Sequence, residues 1–371
     1  MGNAGELANQ IAEFTGGFNN SPWIIGISLG DSANVFALTG NGAGPYGASQ
    51  YPHAAMLIAT VNFQATGYLD NKIYSKYAWA SYLQTEYGNN IAALNAAWNT
   101  NGFYTSFGDA GGFGGGTGIL DEDGRHTWFG TDMYNRFYTL VGVNSNLVND
   151  LNAFLYQYAY QTYAVQARTI RTYDTNHMFI CGSFGGVGDG GTRPQVLQAL
   201  RDSGCNVFVW NWNTYYTSTA LSANQLEYDT AGVPAVLWYG SSAQLDSDYS
   251  AYPYPKSGAP FADLPNQLTR AQHYANDVQQ IFNAQGTNGD YYTLGTAFWA
   301  LTDNTSETTN WGLISLMDNA YDGQCAVMAA GIDPWGYACG GEASNYGDFI
   351  DGVTQSNTSI VQQVIQSLHN N

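Results

Sequence analysis

The sequence predicts an α/β fold with a parallel sheet, on three observations. Short apolar stretches recur at Trp23–Leu29, Met178–Cys181, Asn206–Asn211, Pro234–Tyr239 and Thr293–Leu301. Each is bounded by polar turns, as buried strands are. A helical pattern or a long helical insertion follows each of them, which is the rhythm of βα units. A (β/α)8 barrel needs eight such units and only five are visible. Either units are missing or the sheet is open.

The elements follow in order. Residues 4–16 put Leu7, Ile11 and Phe14 on one helical face, and Gly16-Gly17 stops that helix. The first strand ends in Asp31-Ser32-Ala33-Asn34. Residues 40–72 are loop-like, and a helical patch over about 75–98 breaks at Gly88. Residues 107–124 are dominated by glycine without a following Gly-Lys-Ser/Thr, so no phosphate loop is present. A helix over about 146–173 carries Leu151, Phe154, Leu155, Ala159 and Val165 as its apolar stripe. Helices at 194–202, 222–231 and 265–284 separate the later strands, and a helix at 359–369 closes the chain. The domain reading is one incomplete barrel-like domain over 1–371, with an insertion at about 40–145 and a C-terminal loop and helix at 324–371.

Composition narrows the function classes. Ten Lys+Arg against 29 Asp+Glu give a net charge of −19, the wrong sign for nucleic acid or an anionic membrane. No apolar run is long enough to span a bilayer. Sparse charge with abundant Tyr, Asn, Thr and Gly has the look of a secreted protein, although Met1 leads almost directly into the 4–16 helix and no leader is visible. Sequons at Asn19, Asn304 and Asn357 agree with export. Cys325 and Cys339 flank a Gly-rich loop and are the expected disulfide, while Cys181 and Cys205 read as inert core thiols. No Cys/His spacing fits a zinc site, and no cofactor is implied.

Chemistry gathers at the strand ends. The fifth strand runs into Asp303, Glu307, Asn310 and Trp311, and α/β proteins keep their sites at the C-terminal ends of parallel strands. Trp212, Trp238 and Trp299 fall at or near strand ends, where indole faces either stack on the C–H faces of sugars or pack the core. Tyr239 reads as a pocket wall. Asp246 and Asp248 read as a hydrated loop or as a carboxylate supply. Asp31 is either an acid or a turn cap. Asp121, Glu122 and Asp123 read as a solvated loop rather than a calcium site. His126 and His177 have no evident Ser/Asp or Cys/Asp partner, so a hydrolase triad is not expected.

Four segments resemble a known family. FNNSPWIIGISLGDSAN resembles the fourth strand of the clan A glycoside hydrolases, (β/α)8 enzymes that cleave β-linked glycans with two glutamates. KYAWASYLQTEYGNNIAALNAAW resembles the insertion after that strand in β-galactosidase-like members. PAVLWYGSSAQLDSD stands where the seventh strand belongs, and GTAFWALTDNTSETTNWGL resembles the eighth with its sugar-stacking tryptophan. The resemblance therefore implies a TIM-type barrel of which strands four to eight are present, the rest being omitted or supplied by another copy in a homo-oligomer. It also implies hydrolysis of a β-linked poly- or oligosaccharide, with subsites drawn from Trp212, Trp238, Tyr239, Asp246, Trp299 and Asp303. The departures are specific. Ser32 occupies the position of the expected general acid/base, and no glutamate stands near Trp238-Tyr239 for the nucleophile. Asp31 and Glu307 are the carboxylates left to do the work. The alternative is an inactive relative that binds glycan or serves as an extracellular structural protein.

Overall fold

A computed structural model describes residues 9, 12–13, 21–28, 74–111, 116–122, 144–184, 194–210, 218–240, 267–299, 312–313 and 346–370. It confirms a mixed α/β architecture, gathered into two compact units. One holds residues 1–208 with 230–233, the other 209–229 with 234–371.

In the first unit, strand β1 (Gly26–Ser28) pairs in parallel with β2 (Met178–Phe184), with Ile27 opposite Phe179. Strand β3 (Val207–Trp210, its last two residues in the second unit) starts beside β2, where the Asn206 N–H donates to the Phe179 carbonyl at 3.1 Å. Ile27, Phe179, Cys181 and Val207 are all buried, as a sheet covered on both faces requires. The strand expected over Trp23–Leu29 is shorter than that. Trp23 is 91% exposed and Ile25 67% exposed, so the segment before Gly26 approaches the sheet as an irregular lead-in.

Helices α1 (Tyr74–Glu86) and α2 (Ile91–Trp98) separate where the sequence predicts a break. Gly88 and Asn89 both take positive φ, 57° and 58°, and reverse the chain. Asn90 then caps α2, accepting from the Ala92 and Ala93 N–H groups at 3.1 and 3.2 Å. Trp79, Leu83, Leu94, Trp98, Tyr104 and Ile119 pack with Leu147, Leu151 and Phe154 of the long helix α3 (Ser145–Tyr173) into one core cluster. The indoles of Trp79 and Trp98 stack with centroids 6.1 Å apart, and Phe154 meets Trp79 edge-on at 5.1 Å. Of the stripe expected on α3, Val165 alone is half-buried; the other four residues are buried. Helix α4 (Pro194–Asp202) packs on α3.

Two sequence readings are corrected in this unit. Cys181 and Cys205 are not free thiols but a disulfide joining β2 to the entry of β3. Strand spacing brings their Cα atoms to 6.1 Å, within bridging reach. The pair predicted at Cys325 and Cys339 lies outside the described residues. Asp121 and Glu122, in the glycine-rich segment, are also buried rather than part of a solvated loop. Asp121, in a 3-10 turn over Ile119–Asp121, is buried and accepts from the N–H groups of Ala110 at 2.7 Å and Gly118 at 3.0 Å. A Cβ on Gly118 would lie 2.0 Å from the Gly108 carbonyl, so glycine is required by close backbone approach rather than by looseness. Glu122 is buried too. It accepts from the Tyr104 hydroxyl at 2.5 Å, and its carbonyl takes the buried Lys76 ammonium. Asp123 lies outside the described residues.

In the second unit, helix α5 (Ser218–Ala231, its last two residues in the first unit) precedes β4 (Ala235–Gly240), and α6 (Gln267–Asn283) precedes β5 (Thr293–Trp299). β4 and β5 are parallel and in register from Val236↔Gly295 to Gly240↔Trp299. An extra residue on β5 at the start leaves Leu294 52% exposed. The closing helix α7 (Tyr346–Asn370) begins thirteen residues before the predicted 359. Its first half, YGDFIDGVTQSN, is poor in helix formers, and packing against α6 overrides that preference. Phe349 is buried, and Gly352 sits so close to α6 that a Cβ would fall 2.4 Å from that of Ala271. Asn357 accepts from the Tyr274 hydroxyl at 3.0 Å. Of the helix expected over 4–16, residues 9, 12 and 13 are described and helical.

Candidate functional site

In each unit, taken by itself, the candidate functional edge is the C-terminal end of its parallel strands. In the second unit the register sets Tyr239 opposite Phe298 and Gly240 opposite Trp299. Backbone pairing therefore brings Trp238, Tyr239 and Trp299, far apart in sequence, to one edge of adjacent strands roughly 4.8 Å apart. In the first unit β1 ends at Ser28, three positions before Asp31 in sequence. Asp31, Ser32, Trp212, Asp246, Asp303 and Glu307 lie outside the described residues, as do Asp248, Asn310 and Trp311.

The sequence reading passed over the group that anchors this edge. Arg270 is 1% exposed on α6. Its Nη1 donates to the Gln267 Oε1 at 3.2 Å and to the Gly312 carbonyl at 2.8 Å. Its guanidinium lies 3.8 Å from the Phe349 ring centroid and 5.9 Å from that of Phe298. Arginine suits this place because its plane stacks on rings while its edge donates. The bond to Gly312 pins the far end of the segment that follows β5, the segment that carries Asp303 and Glu307. The signal for Arg270 was in the sequence. Gln267, Arg270, Ala271, Tyr274, Val278 and Ile281 recur at three- and four-residue steps, the spacing of one buried helix face.

His177 was expected to stand without an acidic partner, and the structure corrects this. Its Nδ1 lies 2.7 Å from Asp174 Oδ2, and its Nε2 3.0 Å from the Ser21 carbonyl. The hydrogen bond to Asp174, then that to Ser21, raises the imidazole pKa. Burial pushes the Asp174 carboxyl up, but bonds from the His177 ring and from the His177 and Asn176 N–H groups outweigh it and hold the pKa low. The pair precedes β2, at the end of the sheet opposite the strand C-termini. With both ring nitrogens engaged and no hydroxyl on either, it is a tie between the lead-in to β1 and the turn before β2, not a triad. His126 lies outside the described residues.

Asp150 is a second buried carboxylate. It accepts from the Tyr87 hydroxyl at 2.6 Å and the Trp98 Nε1 at 2.7 Å. Burial raises its pKa above the usual carboxylate value, against the lowering effect of those two bonds. It lies inside the α1–α3 core rather than in a cleft, so its bonds organise packing. Among the described residues no group of three or more His, Cys, Asp or Glu could hold a metal ion.

Comparison with known proteins gives fold and little else. No family model matches, and no curated protein matches by sequence. Solved structures do. The agarase AgWH50C matches with a TM-score of 0.61 at 15% identity, over 97% of this chain and 40% of its own. An exo-beta-agarase matches at 0.61 and 14% identity, over 97% and 38%. PfGH50B matches at 0.62 and 15% identity, over 97% and 40%. The chain spans about two fifths of the length of each structure it matches. Its fold is similar to a part of these proteins.

Proposed function

We propose that this protein is a carbohydrate-active protein of the glycoside hydrolase type, acting on a β-linked polysaccharide at the C-terminal edge of its strands. The observation that carries the reading is the fold likeness over 97% of the chain to three solved structures, two of them agarases. An agar-type galactan is accordingly the first substrate to try. Trp238, Tyr239 and Trp299 supply aromatic walls, whose faces suit the apolar faces of pyranose rings. Asp31, in the sequence after β1, and Glu307, in the sequence after β5, are the carboxylates proposed for the acid/base work. Retention of configuration needs the two carboxyl groups about 5–5.5 Å apart and inversion about 6.5–9.5 Å. The Cys181–Cys205 disulfide supports a secreted protein, since such bonds persist in oxidising compartments. Among the described residues no helix is long and apolar enough to cross a membrane.

Ser32 favours a second reading, a glycan binder without turnover, because a serine cannot protonate a leaving group at ordinary pH. One experiment separates the two. Reducing-sugar release is measured on agarose, β-glucan, xylan, mannan and galactan, beside Ser32→Glu, Asp31→Asn and Glu307→Gln. Turnover by the wild type that collapses in Asp31→Asn or Glu307→Gln establishes the hydrolase. Activity confined to Ser32→Glu establishes the inactive relative. No release by any variant, with no retention on the same polysaccharides in affinity gels, overturns the carbohydrate reading.

A further inference from the structure

The first unit contains a cleft of about 560 Å³ between α1, the turn after it and the 105–108 segment. Its volume falls within the range of about 300–1,000 Å³ typical of small-molecule sites. Tyr77, Ser81 and Gln84 line one wall. They stand four and three residues apart, one helical face beside the buried stripe of Trp79, Ala80 and Leu83. Asn89 and Thr105 complete an open, solvent-facing rim, with Ser106 half-buried behind it.

The lining has a consistent chemistry. It offers two amides, three hydroxyls and a phenol over an apolar floor that includes Phe107 and Leu120, and none of its described residues is ionisable as Lys, Arg, His, Asp or Glu. The polar groups are pre-set. The positive φ of Asn89 folds it back over the last turn of α1, and Gln84 Nε2 donates to its Oδ1 at 2.8 Å. That bond leaves the Gln84 Oε1 as acceptor and the Asn89 Nδ2 as donor, the fork that engages vicinal hydroxyls. The Ser106 Oγ accepts from the Gly108 N–H at 2.9 Å, which leaves the hydroxyl its own hydrogen to donate. The Tyr77 ring, 42% exposed at the rim, presents a flat apolar face.

From this neutral, forked and aromatic lining we infer that the cleft is a second saccharide-binding site, for uncharged sugar units and separate from the strand ends. The inference rests on the carbohydrate reading above and adds to it a holding site for a polysaccharide chain. A sulfated or uronic glycan finds no cation here, and the chain's net charge of −19 opposes it.

Gly108 gives a direct test. A Cβ there meets only the Ser106 Oγ, at an ordinary 3.5 Å, so a larger side chain occupies the cleft without displacing backbone. Binding of neutral agarohexaose and cellohexaose, and of a sulfated carrageenan hexasaccharide, is measured by calorimetry on the full chain. The variants are Gly108→Leu, Tyr77→Ala, Gln84→Ala and Trp238→Ala, with circular dichroism and melting to confirm folding. The expected result is a binding event for a neutral hexasaccharide that weakens about tenfold or more in Gly108→Leu and in whichever of the other two cleft variants folds, and that persists in Trp238→Ala, which removes only binding at the strand ends. Undiminished binding in the cleft variants overturns the inference, as does equal affinity for the sulfated sugar. If no hexasaccharide binds while polysaccharide is still hydrolysed, the cleft is refuted and the hydrolase reading stands.

Discussion

Replacing Asn95 with alanine removes a buried side chain that makes four hydrogen bonds in the first unit. Asn95 is 7% exposed in α2. Its Nδ2 donates to the carbonyls of Ile91 at 3.0 Å and Tyr104 at 2.7 Å. Its Oδ1 accepts from the Thr100 hydroxyl at 2.5 Å and the Tyr104 N–H at 3.0 Å. All four capacities of the amide are used, so it stitches the Thr100–Tyr104 turn to the helix. Alanine leaves the Tyr104 N–H, the Tyr104 carbonyl and the Thr100 hydroxyl without these partners, in residues 1% and 3% exposed. A stranded buried polar group costs about 1–3 kcal/mol. Partial hydration relieves some of the three, and the expected loss is about 3–5 kcal/mol. Urea unfolding followed by tryptophan fluorescence reads this directly, because Trp79 and Trp98 share the cluster that the turn closes. Asn95→Asp keeps the shape and the acceptor but sets a carboxylate oxygen against the Tyr104 carbonyl, so it should be at least as damaging. A loss under about 0.5 kcal/mol for the alanine variant would refute the reasoning, since that is the range of surface substitutions. The turn leads into Thr105 and Ser106, so hexasaccharide binding at the cleft should weaken in the same variants.

Other perturbations reach the remaining anchors. Arg270→Met keeps the length of the buried chain but loses the bond to Gly312 and the charge over Phe349. It should cost about 2–4 kcal/mol by melting of the purified chain and, on the hydrolase reading, lower turnover by loosening the segment after β5. The His177–Asp174 tie gives stability a two-sided pH dependence. The raised His177 pKa makes its contribution complete below about 6.5 and removes it as pH rises through the folded value; the lowered Asp174 pKa makes its contribution complete above about 3.9 and removes it as pH falls through the folded value. Melting from pH 3 to 9 should flatten over both limbs in His177→Gln; an unchanged profile would remove the tie from the account. Opening the Cys181–Cys205 bond, whose ends are 24 positions apart in sequence, should cost about 3 kcal/mol by chain entropy. Cys181→Ala/Cys205→Ala melting within 1 °C of wild type would contradict that.

How much the sequence disclosed follows from where the information is local. Helices α1 and α2 and the break at Gly88 were readable because apolar periodicity and a glycine in αL are properties of a few neighbouring residues. Strands β2 to β5 were readable as compact apolar stretches. The start of α7 was not, because Phe349 and Gly352 are helical on account of α6, far away in sequence. The Cys181–Cys205 disulfide was missed for the same reason. A glycine-rich loop between Cys325 and Cys339 was the local cue, while Cys181 and Cys205 meet only when two strands lie side by side. Asp121 shows a different failure. Its glycine neighbours resemble a flexible linker in composition, yet Gly118 is there because the backbone comes within a van der Waals radius of itself.

The same distinction bears on function. The aromatic residues of the candidate site belong to β4 and β5, and the registered pair Gly240↔Trp299 fixes their ends at one edge. Carboxylates placed after such strands converge only through the loops that carry them, so the identity of a catalytic acid is a property of loop geometry, not of the strand. That is why Ser32 does not by itself decide the matter. A carboxylate at Asp31 differs from one at position 32 by a single residue, about 3.5 Å of chain. That step falls within the difference of about 1–4.5 Å between the spacing needed for a direct nucleophile and the spacing that admits a water. If Asp31→Asn abolishes turnover, the stereochemistry of the product becomes the informative measurement. An inverted product would mean the displaced acid leaves room for water, and a retained one would mean the loop has recovered the shorter spacing.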